Sequence, residues 1–96
     1  MKKYPDWYYR QSAVIPFRTS SEDVEVLLIT SRKRKHWVLP KGVVEQSMTP
    51  VDSAAAEAFE EAGVLGTVSN RSLGTYQYSK WGGICTVEVF PMAVTM

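Results

Sequence analysis

The sequence predicts an α/β (α+β) domain, several strands and one helix folded as a single unit over residues 1–96. Three observations carry this. A helix pattern with its own start and stop signals occupies Pro50–Ala62; apolar, β-branched runs typical of strands lie before and after it; and 96 residues with 45% hydrophobic content fill one small core but not two.

Taken in order, residues 1–9 are aromatic and polar, and Pro5 disfavours a helix there. Trp7, Tyr8 and Tyr9 are expected to pack over a sheet edge, with ligand contact as the alternative. Residues 11–18 read as a strand in which Pro16 suggests an edge or a bulge. A polar turn at 19–23 leads to 24–30, VEVLLIT, the clearest strand, whose continuous apolar run implies burial on both faces. The basic run 31–36, SRKRKH, is a loop, and 37–39 is a short strand returning the chain to Gly42. Beyond the helix, 65–69 and 72–78 read as strands, 79–83 as a hairpin turn, and 84–96 as a long strand with Pro91 at a bulge or bend.

The helix ends are set by local chemistry. Thr49 is a suitable N-cap, Pro50 fits the first helical position, Asp52 sits where a capping-box acid belongs, and Gly63 supplies a left-handed stop. At about 100° per residue, Glu57, Glu60 and Glu61 fall within an arc of roughly 100°. Val51, Ala55, Ala58, Phe59 and Ala62 are expected to form the core stripe on the opposite side. Like charges on one helical face repel by a few tenths of a kcal/mol per pair. Either the cluster is a solvated acidic face, or a hard divalent cation such as Mg²⁺ offsets the repulsion.

Composition excludes several classes. Eleven basic against ten acidic residues, a formal net charge of +1, give no global pull toward nucleic acid or membrane. The single Cys85 permits no internal disulfide and is expected to be a small buried hydrophobe in a strand. The start, MKKYPDWYYR, lacks the apolar run of a signal peptide, and no later segment is long enough to span a bilayer, so a cytoplasmic location is expected. No Cys or His spacing suggests zinc, and His36 is expected to be a loop residue.

Gly42, Glu57, Glu60, Glu61, Gly63 and Val64 match in register the pattern G-x5-E-x7-R-E-U-x-E-E-x-G-U, with Ala58 at the apolar position between the glutamates. In this the sequence resembles the Nudix hydrolases, and the 39–42 entry LPKG with the run EAFEEAGV is similar to their diphosphoinositol polyphosphate and dinucleoside polyphosphate branch. Met48 stands where the pattern has its first glutamate, and Ala56 where it has arginine.

The resemblance implies a Nudix-like mixed, largely β sheet with the loop-helix-loop unit packed on one side. It implies metal-dependent cleavage of a diphosphate linkage in a nucleoside polyphosphate or related substrate, by water attack on phosphorus. Mg²⁺ or Mn²⁺ would be held by Glu57, Glu60 and Glu61, with the carbonyl of Lys41 or Gly42 completing the shell and Glu57 and Glu61 as the catalytic carboxylates. Lys41, Arg32, Arg34, Arg10 and Lys80 are the candidate substrate-binding cations. The expected partner is a small phosphorylated molecule, not a membrane or a nucleic acid. The alternative is a non-catalytic polyphosphate-binding module, which Ala56 favours. Because the family's domain normally continues through a further strand and helix, the domain is expected to be C-terminally truncated. The terminal strand is then expected to leave an unpaired edge, through which two copies could associate.

Overall fold

A computed structural model describes residues 1–30 and 36–95, so the expectations placed on Arg32 and Arg34 lie outside the described residues. A 3-10 turn (Asp6–Tyr9) leads into β1 (Arg10–Thr19), β2 (Val24–Val26), β3 (Ile29–Thr30), β4 (Trp37–Val38) and β5 (Lys41–Val43). Then come the helix α1 (Pro50–Ala62), β6 (Gly66–Val68), β7 (Gly74–Lys80) and β8 (Gly83–Val94).

The main sheet is mixed and six-stranded. At its centre β1 and β8 run parallel, from Arg10 opposite Thr86 to Phe17 opposite Ala93. The outer side of β1 is paired antiparallel by β5 and then β2, and the outer side of β8 by β7 and then β6. β3 and β4 form a separate two-stranded antiparallel pair.

Two strand expectations are corrected. β8 is no unpaired edge: it is paired on both sides, and Cys85, Val87, Val89, Phe90 and Met92 are buried in it. Its apolar residues on both faces are those of an interior strand. Conversely, 24–30 is not one doubly buried strand. It breaks at Leu27 and Leu28 into β2 and β3, and Val24 and Val26 are 64% and 51% exposed. β2 is an edge strand, and Val26 and Leu27 line an open groove of about 330 Å³ with Pro16, Phe17, Val64 and Val94.

Neither proline marks an edge. Pro16 stands in β1 between the stretch paired with β5 (Gln11, Ser12, Ala13) and that paired with β2 (Phe17, Arg18, Thr19). Pro91 stands in β8 between the partners of β7 and of β6. Each missing N–H therefore falls where the neighbouring strand changes, so no ladder bond is lost. Their carbonyls still accept, from Leu27 at 2.9 Å and Ser69 at 3.0 Å.

α1 begins and ends as its sequence requires. Thr49 Oγ1 accepts from the Asp52 N–H at 3.1 Å, and Gly63, at φ 68°, donates back to the carbonyls of Ala58 and Phe59. The helix rests on the sheet through Ala54 and Ala58, which pack with Val14, Phe90 and Met92, flanked by Val51, Val64 and Val68. Phe59 is not part of the core stripe but 56% exposed. Close helix–sheet approach selects alanines at the contact, and the residue one step, about 100°, beyond Ala58 is carried out of it. On the other face Ala13, Val87 and Val89 pack with Ile15, Leu39 and Tyr78.

The β7–β8 turn has two residues, Trp81 and Gly82, at φ 54° and 72°, the left-handed pair that a tight hairpin needs. The N-terminal aromatics pack on it. Tyr9 Oη donates to the Trp81 carbonyl at 2.6 Å, the Lys3 N–H donates to the same oxygen at 3.1 Å, and Tyr4 stacks on Tyr8.

Candidate active site

Three side chains spaced one helical turn apart tie α1 to β5. Ser53 Oγ donates to the Val43 carbonyl at 3.3 Å, Glu57 lies directly over Gly42, and Glu61 Oε1 accepts the Lys41 N–H at 3.0 Å. Residues i, i+4 and i+8 share a face, so one stripe of the helix engages three successive residues of the strand. Gly42 belongs to β5 rather than to a loop. A Cβ there would overlap the Glu57 carboxylate. Glycine is thus required by close approach, since Gly42 carries no left-handed φ.

The carboxylates crowd one another. The Glu57 carboxyl is raised from the usual 4.5 to about 7, by its burial first, then by the charges of Glu61 and Glu60, by a hydrogen bond with Glu61, and by Glu45. Glu45, exposed in the segment after β5, was not singled out by sequence reasoning. Its position three residues past Gly42 was the available signal. Ser12, opposite Gly42 in β1 and fully buried, has a hydroxyl with no hydrogen-bond partner among the described residues. Met48 is half-buried and donates its N–H to the Glu45 carbonyl at 2.9 Å; Ala56 is half-buried on the helix.

Among the described residues, no three His, Cys, Asp or Glu side chains are arranged to hold a metal ion by themselves. The donor set nevertheless fits a hard cation of the Mg²⁺ type, which is bound through one or two carboxylates and completes its shell with water and substrate phosphate. Glu57 and Glu61 touch and carry a repulsion that raises Glu57, and Glu57 sits on a glycine whose missing side chain leaves its carboxylate room.

The expected cations are distributed over both sides of the sheet. Lys41 contributes its backbone N–H to the site, while its Nζ lies 5.0 Å from the centre of the Tyr78 ring. Side chains alternate along a strand, so with Gly42 facing the helix, Lys41 is on the opposite face. Tyr78 Oη donates to Gln11 Oε1 at 2.8 Å, and burial raises its phenol. Lys80 shares that face and lies 4.4 Å over the Trp81 ring at the hairpin tip. Arg10 is exposed at the start of β1, where its carbonyl accepts the Val44 N–H at 3.0 Å. Cys85 is fully buried, with Gln11 Nε2 at 3.7 Å from its sulfur.

A mixed sheet carrying a capped helix, whose glutamates close over a glycine strand, defines a domain that builds an acidic site from one helix. The NUDIX domain pattern matches residues 8–86, and the chain belongs to that family. It is 34% identical over 76 residues to the diphosphoinositol polyphosphate phosphohydrolase 3-beta of Bos taurus, covering 79% of this chain and 46% of that protein. It is 37% identical over 70 residues to the diphosphoinositol polyphosphate phosphohydrolase 2 of Rattus norvegicus, covering 73% and 38%. The chain thus spans less than half the length of these curated relatives. Its fold superposes on the C. elegans Ap4A hydrolase with a TM-score of 0.76 at 23% identity, over 88% of this chain and 67% of that one. A NUDIX-family hydrolase from Clostridium perfringens gives 0.78 at 18%, over 93% and 70%.

Proposed function

We propose that this chain is a pyrophosphohydrolase of the NUDIX family that cleaves a diphosphate linkage in a highly phosphorylated small molecule. The observation that carries the reading is the Ser53, Glu57, Glu61 stripe closed over Lys41, Gly42 and Val43. Curated relatives named for diphosphoinositol polyphosphate hydrolysis support the substrate class.

In this reading Glu57, Glu61 and the outward carbonyl of Lys41 would hold Mg²⁺ or Mn²⁺, with Glu60 beside them, since the Gly42 carbonyl is turned toward Ser12 of β1. The ion, when bound, polarises the diphosphate and lowers the pKa of a bound water. The Lys41 N–H fixes Glu61 in place from β5. One of the helix glutamates would accept the proton released by the attacking water. Lys41, Lys80 and Arg10, with Arg32 and Arg34 as the sequence suggests, would supply positive charge to the substrate phosphates. A cytoplasmic setting suits the free, buried Cys85. Among the described residues no helix is long and apolar enough to cross a membrane.

The test is release of phosphate or nucleotide from a panel of diphosphoinositol polyphosphates, dinucleoside polyphosphates, nucleotide sugars and nucleoside triphosphates. Turnover concentrated on the first two classes is expected. A specific observation favours a second reading: Ala56 and Met48 leave the helix without the Arg–Glu pair of the family pattern. Binding of a polyphosphate by the folded chain without any turnover across the panel would select that non-catalytic module instead.

A further inference from the structure

The hydroxyl of Ser12 has no use in the fold of the free chain. Among the described residues its Oγ is the only buried side-chain oxygen or nitrogen without a hydrogen-bond partner, and the residue is fully buried. A hydroxyl left so costs free energy that alanine at the same place would not. Its presence calls for a state of the protein in which the bond is made.

Alternation along β1 fixes where this hydroxyl points. Val14 packs with Ala54 and Ala58 of α1, whereas Ala13 and Ile15 pack on the other face. Ser12, two residues before Val14, therefore faces the helix. Its direct partner in β5 is Gly42. The Val14 N–H donates to the Pro40 carbonyl and the Val44 N–H to the Arg10 carbonyl, so Ser12 and Gly42, midway between, exchange both backbone bonds with each other. Their backbone groups are spent within the sheet, and the serine hydroxyl is what remains.

Beside that hydroxyl lies the Glu57 carboxylate. It fills the place that a side chain on Gly42 would take, and the Cβ positions of directly opposed residues stand about 5 Å apart. Ser12 Oγ, one bond beyond its own Cβ, is thus at the level of the carboxylate and on the same face of the sheet. One other carboxylate flanks the serine. Glu88, its partner in β8, is half-buried and shares the helix-side face with Phe90 and Met92. The Glu88 carboxylate stands at the end of two methylenes, beyond the level of the serine oxygen, whereas that of Glu57 reaches down to the sheet.

We infer that Ser12 is a positioning residue for Glu57, its hydroxyl donating to the Glu57 carboxylate when that group takes a divalent cation. The inference rests on the reading of Glu57 as a metal ligand. In the free chain Glu57 shares a hydrogen bond with Glu61. A cation between them replaces that bond, and both carboxylates then only accept. Glu61 keeps the Lys41 N–H, and Ser53 Oγ is committed to the Val43 carbonyl. For Glu57 the unused donor is Ser12. A ligand carboxylate held by such a donor keeps one orientation, and losing the donor typically weakens metal binding about 10–100-fold.

The test is Mn²⁺ binding, followed by the paramagnetic resonance signal of the free ion, together with unfolding midpoints in EDTA. Wild type, Ser12→Ala, Glu88→Gln and the double variant are compared. Ser12→Ala removes only an unpaired oxygen from the metal-free chain, so its midpoint in EDTA is expected to equal or exceed that of wild type. Its Mn²⁺ dissociation constant is expected to rise about tenfold, and by the same factor in the Glu88→Gln background. A Ser12→Ala chain that binds Mn²⁺ as wild type does, or a loss that disappears in the Glu88→Gln background, overturns the inference and leaves the metal site standing. A lower midpoint in EDTA shows the hydroxyl already bonded in the free chain and overturns it equally. A wild type that binds no Mn²⁺ overturns the metal-site reading and the inference together.

Discussion

Glu57→Gln removes the group that the site holds least comfortably. In the folded chain its carboxyl keeps a proton up to about pH 7 instead of 4.5, chiefly because it is buried and because Glu61 and Glu60 press upon it. Between those two values the folded state binds a proton that the unfolded state has released. Stability from this group therefore falls as pH rises through the window, and the deficit is complete above about 7. Taken at face value the shift amounts to about 3 kcal/mol. Glu57 is only half-buried, and solvent screening reduces this to about 1 kcal/mol. Glutamine keeps the shape and removes the charge. Urea unfolding in EDTA at pH 5 and pH 8 is the assay, with the difference between wild type and variant isolating Glu57 from other titrating groups. The variant should be the more stable protein at pH 8, by about 1 kcal/mol, and should lose that advantage at pH 5. Adding Mg²⁺ at pH 8 should stabilise the wild type and leave the variant little changed. A variant less stable than wild type at pH 8 without metal would refute the crowding argument.

Gly42→Ala drives a methyl group into the Glu57 carboxylate; kcat/KM should fall about 100-fold while circular dichroism still reports a folded chain. Lys41→Met leaves the backbone bond to Glu61 intact and removes only the cation, so steady-state kinetics should show KM raised about tenfold and kcat little changed. Thr49→Ala deletes the helix cap and should cost about 1 kcal/mol in urea unfolding, with metal affinity affected less than by Gly42→Ala.

What could be read from the sequence was what is locally determined. Thr49, Pro50 and Gly63 fix the helix through their own side-chain and backbone chemistry, and the observed bounds match. That Glu57 and Glu61 share one helix face was legible because helical spacing is regular. The rest depended on neighbours distant in sequence. An apolar run such as 24–30 looks the same whether it crosses a core or walls an open groove, and only its split into β2, paired with β1 alone, and β3, paired with β4, distinguishes the two. Pro16 and Pro91 suggested interruptions, yet the sheet places both where partner strands change hands. The hairpin turn expected at 79–83 is present, tightened to Trp81 and Gly82, with Trp81 at a positive φ more usual for glycine. At the site, Ser53 and Glu45 went unnoticed because their roles arise from β5 and Glu57, twelve or so positions away in the chain.

The central claim is that the glutamates closed over β5 form a metal-dependent hydrolytic site. Its most direct test is hydrolysis of a diphosphoinositol polyphosphate by wild type and Glu61→Gln, with Mg²⁺ and with EDTA. The account predicts turnover that EDTA abolishes and that the substitution lowers at least about 100-fold, with both proteins folded. Turnover that persists in EDTA, or that Glu61→Gln leaves unchanged, would contradict it.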